Sequence, residues 1–141
     1  MHINRSRETL FLILGLAMSV SAVAADPPPR FANEQITLAD WQIYLDEVTS
    51  LPSVICKDTP RYERSCVSES LKSVWVFTRQ GHPAHPAVST GVLVVYTHAA
   101  GILLRGYYAG NESAFEAWVA SAFSDVPNLD KWTQEPFIRD P

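Results

Sequence analysis

Apolar side chains recur at Leu38, Trp41, Leu45 and Val48, and steps of three and four place them on one stripe of a helix. Thr37 can cap its first turn, Asp40, Gln42 and Glu47 fall off the stripe, and Pro52 stops the run. A second helix is predicted where Asn111, or Ser113 with Glu116 three residues on, precedes Phe115, Trp118, Val119 and Phe123, with Pro127 closing it. Between these stripes the pattern changes to short blocks. Residues 71–79, with Val74-Trp75-Val76-Phe77 at their heart, show no polar face and suit a central strand. Residues 91–98 read the same way, and Ala99-Ala100-Gly101 turns the chain into residues 102–108, an antiparallel hairpin. Arg105 interrupts that last run and is expected on a solvated face or against an acid. Leu129, Trp132 and Phe137, spaced among polar residues and prolines, predict a tail without regular structure. The order defines an α+β domain: a small antiparallel sheet of three or more strands with two helices packed on one face.

Ahead of this body stands a different pattern. Arg5 and Arg7 outweigh Glu8, residues 10–20 form an unbroken oily core, and Ser21-Ala22-Val23-Ala24-Ala25 offers small residues to a signal peptidase. Residues 1–25 therefore read as a secretory signal peptide, cut after Ala24 or Ala25. This core of eleven residues is too short for a permanent membrane anchor, since a bilayer core of roughly 30 Å needs about 20. Residues 26–36, opening with Asp26-Pro27-Pro28-Pro29, are expected to be extended, and residues 37–141 to form a single domain. The expected location is periplasmic or secreted.

Charge and cysteines refine that picture. Removing Arg5, Arg7 and Glu8 moves the formal charge from −4 to −5, and the nine remaining Lys and Arg are scattered, which argues against nucleic acid as a partner. In an exported chain Cys56 and Cys66 are expected to pair. The residues between them are polar and charged, predicting a solvated loop pinned by the bond, with Arg61, Tyr62 and Arg64 stiffened as a recognition surface. A redox role is disfavoured because the Cys-x-x-Cys spacing is absent.

The most specific local chemistry is the repeat His82-Pro83-Ala84-His85-Pro86-Ala87. Proline restrains its own φ and pushes its predecessor towards extended geometry, so both histidines are expected in β or polyproline II conformation, facing one side about 9 Å apart at the backbone. Two imidazoles make a weak metal site unless His98, Asp58 or Glu63 adds a third ligand. A rigid connector carrying its histidines in water is the simpler reading.

No phosphate loop, Gly-x-Ser-x-Gly elbow, His-Glu-x-x-His helix or calcium loop is present, so neither a cofactor nor catalysis is expected. Three functional classes follow. The first is an exported binding protein presenting Arg61, Tyr62, Arg64, His82 and His85 to another exported or periplasmic protein, as an inhibitor, immunity or assembly factor. The second is a metal-binding or hydrolytic protein built on His82, His85 and His98. The third is a small-ligand binder with a pocket drawn from Trp41, Tyr44, Trp75, Tyr96 and Tyr108, which strand alternation prevents from all sharing one face.

Overall fold

The computed structural model describes residues 28–95, 97 and 99–134. The signal-peptide reading of residues 1–25 lies outside these, as do Tyr96 and His98. Helix α1 (Leu38–Thr49) starts where the sequence places it, with the Thr37 hydroxyl accepting the Asp40 N–H at 3.0 Å. Five strands follow as an antiparallel meander in the order β1-β2-β3-β4-β5: β1 (Ile55–Thr59), β2 (Glu63–Ser68), β3 (Ser73–Thr78), β4 (Ala87–Val95) and β5 (Ala100–Tyr108). Helices α2 (Glu112–Val119) and α3 (Leu129–Gln134) close the chain. The α+β class and the antiparallel sheet are thus those the sequence predicts, and β3, buried along its whole length, is the middle strand.

The helices do not share one face. Alternation along β3 sends Trp75 and Phe77 to α1, where they pack with Trp41, Tyr44, Val48, Cys66, Val88 and Tyr107. It sends Val76 to the opposite core, built with Ala84, Ala87, Tyr108, Phe115, Trp118 and Ala122 under α2. Adjacent Tyr107 and Tyr108 likewise serve opposite helices, in keeping with the two-residue period of a strand. A sheet apolar on both sides needs cover on both, and each buried aromatic contributes roughly 1.5–3 kcal/mol by leaving water. Gly106 lets α2 approach β5: a Cβ there would stand 2.7 Å from both Phe115 Cζ and Val119 Cγ2.

Three further differences from the sequence reading have plain causes. The charged stretch between the cysteines is a hairpin of β1 and β2, with Cys56 directly opposite Cys66 and bonded to it. Its polar composition suits an edge strand exposed on both faces. The tail carries α3, because Trp132 buries its ring and its indole N–H donates to Glu69 Oε2 at 3.0 Å. Helix α2 ends at Val119, short of Phe123, and turns lead on to Pro127.

Candidate functional site

Three elements meet at one end of the sheet: the β1–β2 turn, the β3–β4 loop and the start of α1. The register sets this up, since Glu63 opens β2 opposite Thr78 at the end of β3. Tyr62 sits in the turn at φ +58°, and its carbonyl accepts the Arg79 N–H at 2.7 Å. Its ring lies on Gly81, where a Cβ would come within 3.1 Å. At φ +103°, Gly81 adopts a backbone that L side chains rarely take. Turn and loop are therefore locked together.

Within the loop, His85 N–H donates to the His82 carbonyl at 3.1 Å, so the repeat is a tight turn and not a polyproline II run. The histidines engage different helices. The His82 ring packs edge-on against Trp118 at 5.2 Å, the His85 ring against Trp41 at 5.1 Å. His82 Nδ1 accepts the Ala84 N–H at 3.0 Å, which puts the ring proton on Nε2, 3.7 Å from Glu63 Oε1. Burial pushes the His82 pKa down, opposed by the attraction of Glu63.

Glu63 is the centre of this side and only 3% exposed. The Trp118 indole donates to its Oε1 at 2.9 Å, and Arg61 stands 3.6 Å from Oε2 while also pairing with Asp125 at 2.7 Å. Nothing in the charged run 57–65 distinguishes this glutamate from its solvated neighbours. The available signal is the separation of ten residues between the cysteines about Pro60-Arg61, the register of a hairpin, which makes Glu63 the first strand residue after the turn.

On the α1 side, Thr78 fixes His85. Its hydroxyl accepts the Ala87 N–H at 2.8 Å, donates to the Ala87 carbonyl at 3.1 Å and lies 3.1 Å from His85 Nδ1. A hydroxyl has one proton: given to the carbonyl it leaves His85 Nδ1 as the donor, and given to His85 it leaves Nδ1 as the acceptor, so the His85 tautomer sets which bond forms. His85 lines a cavity of about 250 Å³ with Trp41, Gln42, Leu45, Arg64, Phe77, Thr78, Arg79 and Gln80. Arg64 grips Asp58 through Nε at 2.7 Å and Nη2 at 3.3 Å, and Arg79 Nη1 stands 3.7 Å from the same carboxylate. The Arg64 hydrogen bond, with its charge and that of Arg79, holds Asp58 below the usual carboxylate range against some desolvation.

Of the residues singled out from sequence, Arg64 and His85 share the α1-side cavity, Arg61 and His82 share the Glu63 cluster, and Tyr62 bridges the two at the tip. The aromatic set divides as alternation requires. Trp41, Tyr44 and Trp75 lie on the α1 face, the Trp75 indole donating to the Tyr44 hydroxyl at 3.0 Å, while Tyr108 lies on the other. Among the described residues no group of three His, Cys, Asp or Glu is placed to hold a metal ion, and no helix is long and apolar enough to cross a membrane. Compared with known proteins, the chain matches no family model, no curated sequence and no solved structure.

Proposed function

We propose that the chain is an exported interaction protein that recognises another exported or periplasmic protein through the turn-and-loop end of its sheet. The observation that carries this reading is the interlock of the β1–β2 turn with the β3–β4 loop beneath an exposed set of Tyr62, Arg61 and Arg79, which are 55%, 47% and 44% accessible. Tyrosine and arginine are the side chains that dominate binding hot spots, and a backbone already fixed has little ordering entropy left to lose on docking. The disulfide adds to that stiffness by joining the two strands that carry the turn. Catalysis through His82 is disfavoured, because one ring nitrogen accepts a backbone N–H and the other faces Glu63.

The test is affinity capture from a native periplasmic extract with the mature protein and its Tyr62→Asn variant, asparagine being suited to positive φ. A partner retained by the wild type and reduced at least tenfold by a variant of unchanged thermal midpoint is the expected result. Capture of nothing above background, or equal retention by both proteins, overturns the reading.

A further inference from the structure

We infer that the groove along α1 beside the loop is the seat of an extended segment of the partner that carries an acidic residue, an inference that rests on the interaction reading above. Its length comes from the helix. Beside the cavity bounded by Trp41, Gln42, Leu45 and His85 lies a second hollow of about 410 Å³ bounded by Thr49, Val54, Cys56 and Asp58, and Arg64 lines both. From Trp41 to Thr49, α1 rises about 12 Å, at 1.5 Å per residue. An extended chain covers that distance in three to four residues at about 3.3 Å each.

The polar groups specify what such a segment must bring. Arg64 and Arg79 face the single carboxylate of Asp58, so the guanidiniums leave one positive charge in excess there. Arg79, at 3.7 Å from Asp58, is beyond hydrogen-bonding distance and can turn its fork to a second carboxylate without breaking the Arg64–Asp58 pair. His85 lines the cavity with Nδ1 engaged by the Thr78 hydroxyl, and its other ring nitrogen meets a main-chain N–H or carbonyl according to its tautomer. Gln80, exposed, flanks the cavity with an amide that donates and accepts, while the Gln42 amide already donates to Asp46 Oδ1 at 3.1 Å and keeps its carbonyl oxygen to accept a main-chain N–H. Leu45, Trp41 and Phe77 give an apolar wall. A carboxylate donor-poor at its own end and flanked by peptide N–H groups, as in Leu-Glu-Leu, satisfies this set.

The probe is the capped peptide Ac-Ala-Leu-Glu-Leu-Ala-NH₂, compared with the same peptide bearing glutamine for glutamate and with free glutarate, titrated into the isotope-labelled mature protein. The acidic peptide is expected to shift the Gln42, Leu45, Arg79 and Gln80 amide signals saturably and to bind at least fivefold more tightly than the glutamine peptide. Arg79→Gln, at an exposed side chain, should erase that difference while leaving the glutamine peptide unchanged. Equal binding of the two peptides, an unaltered preference in Arg79→Gln, or glutarate matching the acidic peptide would overturn the inference. The two readings also fail separately. A partner captured through Tyr62 with no peptide binding removes the groove alone, and peptide binding with no captured partner removes the interaction reading alone.

Discussion

At the scale of single residues, the chemistry turns on where the ring proton of His82 sits. His82 serves as a half-buried connector: its Nδ1 takes the Ala84 N–H, its Nε2–H faces Glu63, and its ring edge meets Trp118. Protonating Nδ1 would convert that acceptor into a second donor facing the same N–H. Burial accordingly lowers the folded-state pKa of His82 below the ordinary 6.5, with Glu63 opposing and His85 and Arg61 adding to the depression. The direction of the resulting pH dependence follows. Between the lowered folded value and 6.5 the unfolded chain holds the proton and the folded chain does not, so stability rises with pH across that window and falls as the solution is acidified below about 6.5. Urea unfolding from pH 7 to pH 5 should show this decline, and His82→Asn should flatten it. A slope unchanged by the substitution would assign the acid sensitivity elsewhere.

At the scale of elements, the β1–β2 hairpin depends most on its cross-link. Strand β1 is an edge strand, exposed from Ile55 to Asp58, so apolar burial contributes little to holding it. The disulfide closes a short loop, and on the chain-entropy account that is worth about 2.5–3 kcal/mol. Cys56→Ser with Cys66→Ala should therefore cost about 2–3 kcal/mol in denaturant unfolding. Hydrogen exchange should quicken in β1 more than in β3 or β4, and uniform quickening would show that the bond supports the whole sheet instead. This hairpin is also where sequence reading stops short. Helix α1 and strand β3 were legible because each buries a stripe or block whose period survives in the sequence, and the Thr37 and Asn111 caps because capping is local chemistry. Strands β4 and β5 were legible only in part, since β4 already starts at Ala87, and Ala100 and Gly101, expected in the turn, pair with Val95 and Val94. An edge strand facing water on both sides leaves no such period. Helix placement was likewise hidden: Trp41 and Trp118 each announce a buried stripe, but neither says which face of the sheet it covers. Arg64 and His85 were nameable from sequence, whereas their meeting beside α1 depends on the β2–β3–β4 register.

At the scale of the whole molecule, the disulfide and the reading of residues 1–25 as a signal peptide make one joint demand. Cys66 is fully buried and bonded to Cys56 across a strand pair, in a chain of net charge −4 whose first residues have the basic, oily and small-residue zones of an export signal. A cytosolic chain would be kept reduced, and the hairpin would then lack the cross-link that offsets its exposure. If export and folding are coupled in this way, protein isolated from its native cell should begin at Ala25 or Asp26, and its digest should yield the Cys56 and Cys66 peptides joined. Mass spectrometry with free thiols blocked before lysis reads both features at once. An intact Met1, or both cysteines carrying the blocking group, would break the link between the leader and the disulfide. The turn-and-loop end would then have to hold its shape by the Tyr62–Arg79 hydrogen bond, the Tyr62 ring on Gly81, the Arg64–Asp58 pair and the Glu63 cluster.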